Sequence, residues 1–173
     1  MAKLIKDRQI VEDTWHTLFL AEDESAESVV VPGGLVIVPL PVWQAQRDTL
    51  AQRQGPLGVW LAPEDEPAEI ADDLPRFAVV GVHFPVFRDG RGYSTAALLR
   101  SRYGYQGELR AIGDVLRDQL HYLHRVGFDT FALRADQPAE RAISGLDDFS
   151  IAYQGAFREP RPLFRRRHLH QED

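Results

Sequence analysis

The sequence contains no cysteine, which excludes disulfides, cysteine-ligated zinc, persulfide chemistry and all-cysteine iron–sulfur ligation by this chain. It also lacks any apolar run near the roughly 20 residues that span a bilayer. Its opening residues, Met1-Ala2-Lys3-Leu4-Ile5-Lys6-Asp7-Arg8, have no apolar core of the kind a signal peptide needs. A cytoplasmic protein without a membrane partner is expected. Positive charge is in deficit too, with 20 Lys and Arg against 26 Asp and Glu, a net charge of -6. A basic face that displaces phosphate counterions is therefore not expected, nor is a nucleic-acid partner, and any anion site must be local.

What is present suits one folded domain. A chain of 173 residues, 44% hydrophobic and 27% charged, can bury a core without disulfides or a structural metal. The first stretch, to about residue 34, reads as a β-hairpin: Gln9-Ile10-Val11 and Thr14 to Phe19 flank a turn at Glu12-Asp13. From Leu35 onward short apolar runs alternate with helical periodicity, the signature of consecutive βα units. Strands are expected at Leu35–Val38, Gly58–Ala62, Phe77–Val82, Glu108–Ile112, Phe128–Leu133 and Ile151–Tyr153. Helices are expected over Val42–Gln54, Ala68–Leu74, Ala96–Tyr103, Val115–Val126 and Ala139–Leu146. Ser94 or Thr95 is placed to cap the third of these, Asp114 the fourth, and Gly127 follows its end. The fold class is α/β, a mainly parallel sheet that is either open and doubly wound or a partial barrel, over residues 1–156. A basic tail, 157–173, follows.

Ligands of parallel α/β sheets bind beyond the carboxyl ends of the strands, where loops meet helix N-termini. That rule selects Arg88, Asp89, Arg91, Tyr93 and Ser94 after the most apolar strand, Asp114 after the next, and Arg134 with Asp136 after the one following. The arginines suit a small anion, sulfate, phosphate or carboxylate. Asp114 is the one candidate acid or base, although capping is its simpler duty. Gly90-x-Gly92 has no third glycine in fingerprint position, and the chain has neither a P-loop nor a Gly-x-Ser-x-Gly elbow. His121 and His124 lack a third ligand at matched spacing, and His168 and His170 are a weaker pair, so neither a metal site nor a cofactor is expected. In the tail, Arg161, Phe164, Arg165, Arg166 and Arg167 combine charge with an apolar anchor. Pro160 and Pro162 favour an extended segment that docks on an acidic partner surface.

The block Arg91-Gly92-Tyr93-Ser94, Leu98-Leu99-Arg100, Tyr103-Gly104-Tyr105, Gly107 through Leu116, Asp118-Gln119-Leu120 and Arg125-Val126-Gly127-Phe128 resembles a bacterial domain-of-unknown-function family. That family is commonly described as a probable oxidoreductase component of sulfite reduction and is encoded beside sulfite reductase. The resemblance runs from about Leu35 to Tyr153. It implies a setting in assimilatory sulfur metabolism and, as partner, sulfite reductase or another sulfur-assimilation protein, with siroheme and iron–sulfur chemistry on the partner. It implies no catalytic residue. Two readings remain: an accessory without a redox centre that docks on the reductase, or an enzyme or binding protein for a small anionic metabolite at the strand ends.

Overall fold

The computed structural model describes residues 2–166. Its frame is one eight-stranded sheet in the order β2-β1-β8-β7-β6-β5-β4-β3. The strands are β1 (Lys3–Lys6), β2 (Gln9–Glu12), β3 (His16–Thr17), β4 (Val36–Pro39), β5 (Leu57–Leu61), β6 (Phe77–Phe84), β7 (Glu108–Gly113) and β8 (Thr130–Phe131). From β3 to β8 every neighbouring pair is parallel and consecutive in sequence. A doubly wound sheet reverses its strand order at a switch point. This one never does, so it winds in a single sense and curls into a half-barrel. The outer strands β2 and β3 are joined only by Asp13-Thr14-Trp15. Four steps of at most about 3.6 Å each keep those edges within about 14 Å.

The hairpin is β1 with β2, one pairing earlier than the sequence suggests. Its turn is Asp7-Arg8, both at positive φ (47° and 64°), as a two-residue turn matching strand twist requires. No Gly, Asn or Pro marks it, which is why Glu12-Asp13 looked the better turn. β1 then pairs antiparallel with β8 and closes the parallel series.

The helices are α1 (Leu40–Ala51), α2 (Arg91–Ser101), α3 (Leu120–Val126), α4 (Ala139–Ala142) and α5 (Leu163–Arg166). Pro67–Arg76 is a 3-10 segment where a helix was expected. Ser94 and Thr95 lie inside α2, whose cap is Gly90, and Arg117–Gln119 is 3-10, so α3 is shorter than the periodicity suggests. Ile151–Tyr153 forms no strand; it is irregular and exposed. The tail is not extended throughout: α5 forms just after Pro162, a residue compatible with a helix start.

Alternation along β6 separates two faces. Val80, Val82 and Phe84 join the core shared with the helices, while Val79, Gly81 and His83 face inward. The inward face also carries Leu4, Ile37 and Ile112, all buried. Among the described residues no helix is long and apolar enough to cross a membrane.

Candidate functional site

The carboxyl ends of β6, β7 and β8 meet on one rim, and Asp114 ties them together. One of its carboxylate oxygens accepts the Phe87 backbone N–H at 2.8 Å and the other accepts Arg134 Nη1 at 2.8 Å. Asp114 is thus a strut between loops and not the cap of α3, whose approach begins from Leu116. Arg134 is also held in a two-point pair by Asp136 at 2.6 and 2.8 Å. Arg91 is held likewise by Asp89, which also accepts the Arg91 backbone N–H at 3.1 Å. Asp89 occupies the place of an anion at the start of α2, and the arginine bonds hold its carboxyl below the usual range. Arg134 does the same to Asp136, whose pKa falls to about 2.

Arg88 is exposed and makes no ion pair among the described residues, and Ser94 is exposed on the first turn of α2. Tyr93 packs edge-on against Phe84 and receives a bond from Gln119 Nε2 at 3.3 Å. The structure therefore brings Asp89 with Arg91, and Asp114 with Arg134, into internal pairs. Because such solvent-exposed pairs contribute little to stability, Arg91→Ala is expected to leave the urea midpoint almost unchanged.

A titratable group that sequence reasoning passed over sits at the same end of the barrel. His83, next to last in β6, lies against Trp60 and Phe19 with ring centroids 5.3 and 5.6 Å away. Trp60 is fixed by donating its indole N–H to the Leu18 carbonyl at 2.8 Å. Gly113, at φ +98°, lets its backbone approach the imidazole; a Cβ there would stand 2.7 Å from His83 Cδ2. Burial lowers the pKa of His83, opposed by Glu64, so the ring is neutral at pH 7. The alternation of β6 was the signal for it, masked by reading the strand as one continuous apolar run.

The second accessible feature lies on the outer side of α3. Asp118, His121, Tyr122 and Arg125 line one wall of a groove of about 460 Å³, and the segment Phe149–Gln154 supplies the other. Phe149, Ile151 and Tyr153 are 66%, 62% and 68% exposed. Tyr122 continues this apolar strip to Tyr93, with ring centroids 5.1 Å apart. The tail is bonded behind the groove. Leu163 N–H donates to the Tyr153 carbonyl at 3.0 Å, and Arg166 Nη2 to the Ala152 carbonyl at 2.8 Å. Arg158 bonds the carbonyls of His124 and Phe128 at 2.9 and 3.1 Å.

Of the tail residues singled out in the sequence, Arg161, Phe164 and Arg165 are exposed, Arg166 is engaged internally, and Arg167 lies outside the described residues, as do His168 and His170. His121 and His124 share α3 without a third ligand, and no cluster of three or more metal-binding side chains occurs among the described residues.

Burial, reinforced by Arg158 and Arg8, pushes His124 down to about 4. An unfolded histidine titrates near 6.5, so stability is complete above that pH and is lost as pH falls from 6.5 toward 4. After discounting for partial exposure the loss is about 1–2 kcal/mol. Urea unfolding at pH 7 and pH 4.5 checks this, with His124→Gln expected to remove that part of the slope.

The arrangement defines a class: a βα half-barrel with an internally neutralised rim and an exposed aromatic groove. The chain belongs to a family described as bacterial protein of unknown function (DUF934), whose model matches residues 58–164 and so reaches into the tail. No curated protein and no solved structure matches the chain.

Proposed function

We propose that the protein is an accessory of assimilatory sulfite reduction that docks on the sulfite-reducing enzyme and has no redox centre of its own. The observation that carries this reading is the exposed apolar strip of Tyr122, Phe149, Ile151 and Tyr153. Contiguous exposed apolar surface beside arginines is the composition of a docking face. A chain without cysteine offers no thiolate for a cluster. Electron-carrying groups then reside on the partner, and this chain assists electron delivery, assembly or stability. Mixing the purified protein with its cognate sulfite reductase should raise reductase activity or half-life in a saturable way. No effect on either, with no association, overturns the reading.

A second reading, an enzyme or binding protein for a small anion at the strand ends, is favoured by His83. A neutral, half-buried imidazole at that position is suited to accept a proton. Asp114 is less suited, since both of its oxygens are engaged. Turnover by the isolated protein that is lost in His83→Gln, with an unchanged melting temperature, would support this reading over the first.

A further inference from the structure

The outer face of α3 is complementary to itself. Leu120, Leu123 and Val126 are buried on the inner side of the helix. Asp118, His121, Tyr122 and Arg125 then share the opposite face by helical spacing. Asp118 stands three residues before His121, and Arg125 three residues after Tyr122. A second α3 laid antiparallel on the first would therefore set acid against base at both ends, with the two rings of each copy meeting in the middle.

Both charges are available for that pairing. The Asp118 side chain is 80% exposed, and its ion contact, Arg117 at 3.8 Å, is already held at two points by Asp148 at 2.6 and 2.9 Å. Arg125 donates to the Gln154 carbonyl but makes no ion pair among the described residues.

The surface between the charges is apolar and open. Tyr122 is half exposed, and across the groove Phe149, Ile151 and Tyr153 are each more than three-fifths exposed. Monomers rarely leave so continuous an apolar strip in water. A small-molecule site encloses most of its ligand, whereas walls this open need a larger body to cover them. In a two-fold pair every contact is made twice, residue i to j and j to i. The order of acid, rings and base along α3 meets that condition.

We propose that the free protein pairs with a second copy of itself through this face, with α3 antiparallel to α3. Asp118 of each copy bonds Arg125 of the other, His121 and Tyr122 meet at the two-fold axis, and the Phe149–Gln154 segment of each copy flanks the other's helix. Apolar burial supplies most of the affinity, and the two ion pairs set the antiparallel register. The inference goes beyond the docking reading above, which uses the same strip: the second copy covers the strip until the reductase takes its place.

Sedimentation equilibrium of the full chain over a range of concentrations tests the pairing. The wild type should reach the mass of two chains. Asp118→Arg alone places two arginines together at each end, and Arg125→Asp alone places two aspartates there, so each should weaken the dimer about tenfold or more. Mixing the two variants one to one should restore a dimer of wild-type affinity, because each end then holds one arginine and one aspartate. That restoration cannot come from variants that fail to fold. A wild type that stays monomeric up to about 1 mM, or a dimer that neither charge reversal weakens, overturns the proposal. So does a mixture that dissociates as readily as the single variants.

A parallel titration with the cognate reductase keeps the two readings apart. Reductase association by a wild type that never dimerises sinks the pairing and spares the accessory role. A dimer that the mixture restores, without any reductase association, does the reverse.

Discussion

Arg100→Met should remove about 3–5 kcal/mol of folding free energy, read as a large fall in the urea midpoint. Arg100 is buried on α2, and its guanidinium distributes its donors among four groups. Nε bonds the Gly127 carbonyl at 2.9 Å, Nη1 the carbonyls of Tyr105 and Gly107 at 2.6 and 2.9 Å, and Nη2 the Asp129 carboxylate at 2.6 Å. Burial already pushes Asp129 up against the pull of Arg100. Without the arginine a largely buried acid loses its cation, keeping only the Leu109 N–H and Thr130 hydroxyl, and three carbonyls lose a donor at once.

Lysine, with a point charge in place of a planar fork, should rescue only part of the loss. Gly127 belongs to the same device, since at φ +125° it ends α3 and a Cβ would stand 2.6 Å from Arg100 Cγ. Arg100, Tyr105, Gly107, Gly127 and Asp129 thus form a structural clamp joining α2, the Tyr103–Gly107 turn and the entry to β8.

Arg110→Met should cost about 3 kcal/mol or more by the same logic, and its effect should be centred on the hairpin. Arg110, 2% exposed on the inward face of β7, bonds Glu108 at 2.8 Å and Asp13 at 2.9 Å, while Lys6 holds the other Glu108 oxygen at 2.7 Å. Asp13 lies in the link between the two sheet edges, so this network fastens β1 and β2 to the parallel strands. Hydrogen exchange should therefore show β1 and β2 losing protection more than β5 and β6 do in this variant. A uniform loss across the sheet would instead make the network a general core element.

The parallel frame was legible because buried strands read as unbroken apolar runs, and β4 to β7 fall close to where Leu35–Val38, Gly58–Ala62, Phe77–Val82 and Glu108–Ile112 placed them. The single-sense winding was not legible, since strand order depends on crossovers that local patterns do not encode. Convergence of the Phe87, Asp114 and Arg134 loops followed from neighbouring strands in sequence order. The strut role of Asp114 did not, because its partner lies 20 residues away. Ile151–Tyr153 shows the opposite failure. Its apolar residues serve an exposed groove, and a short apolar run alone does not distinguish a buried strand from a docking surface.

The accessory reading rests most directly on one quantity, the affinity of the purified full chain for its cognate sulfite reductase, titrated at low and high salt. A saturable complex that weakens with salt, and weakens further in Tyr122→Ala with Tyr153→Ala, is the predicted result. No complex at any salt, together with turnover of a small anion by the isolated protein, would contradict it.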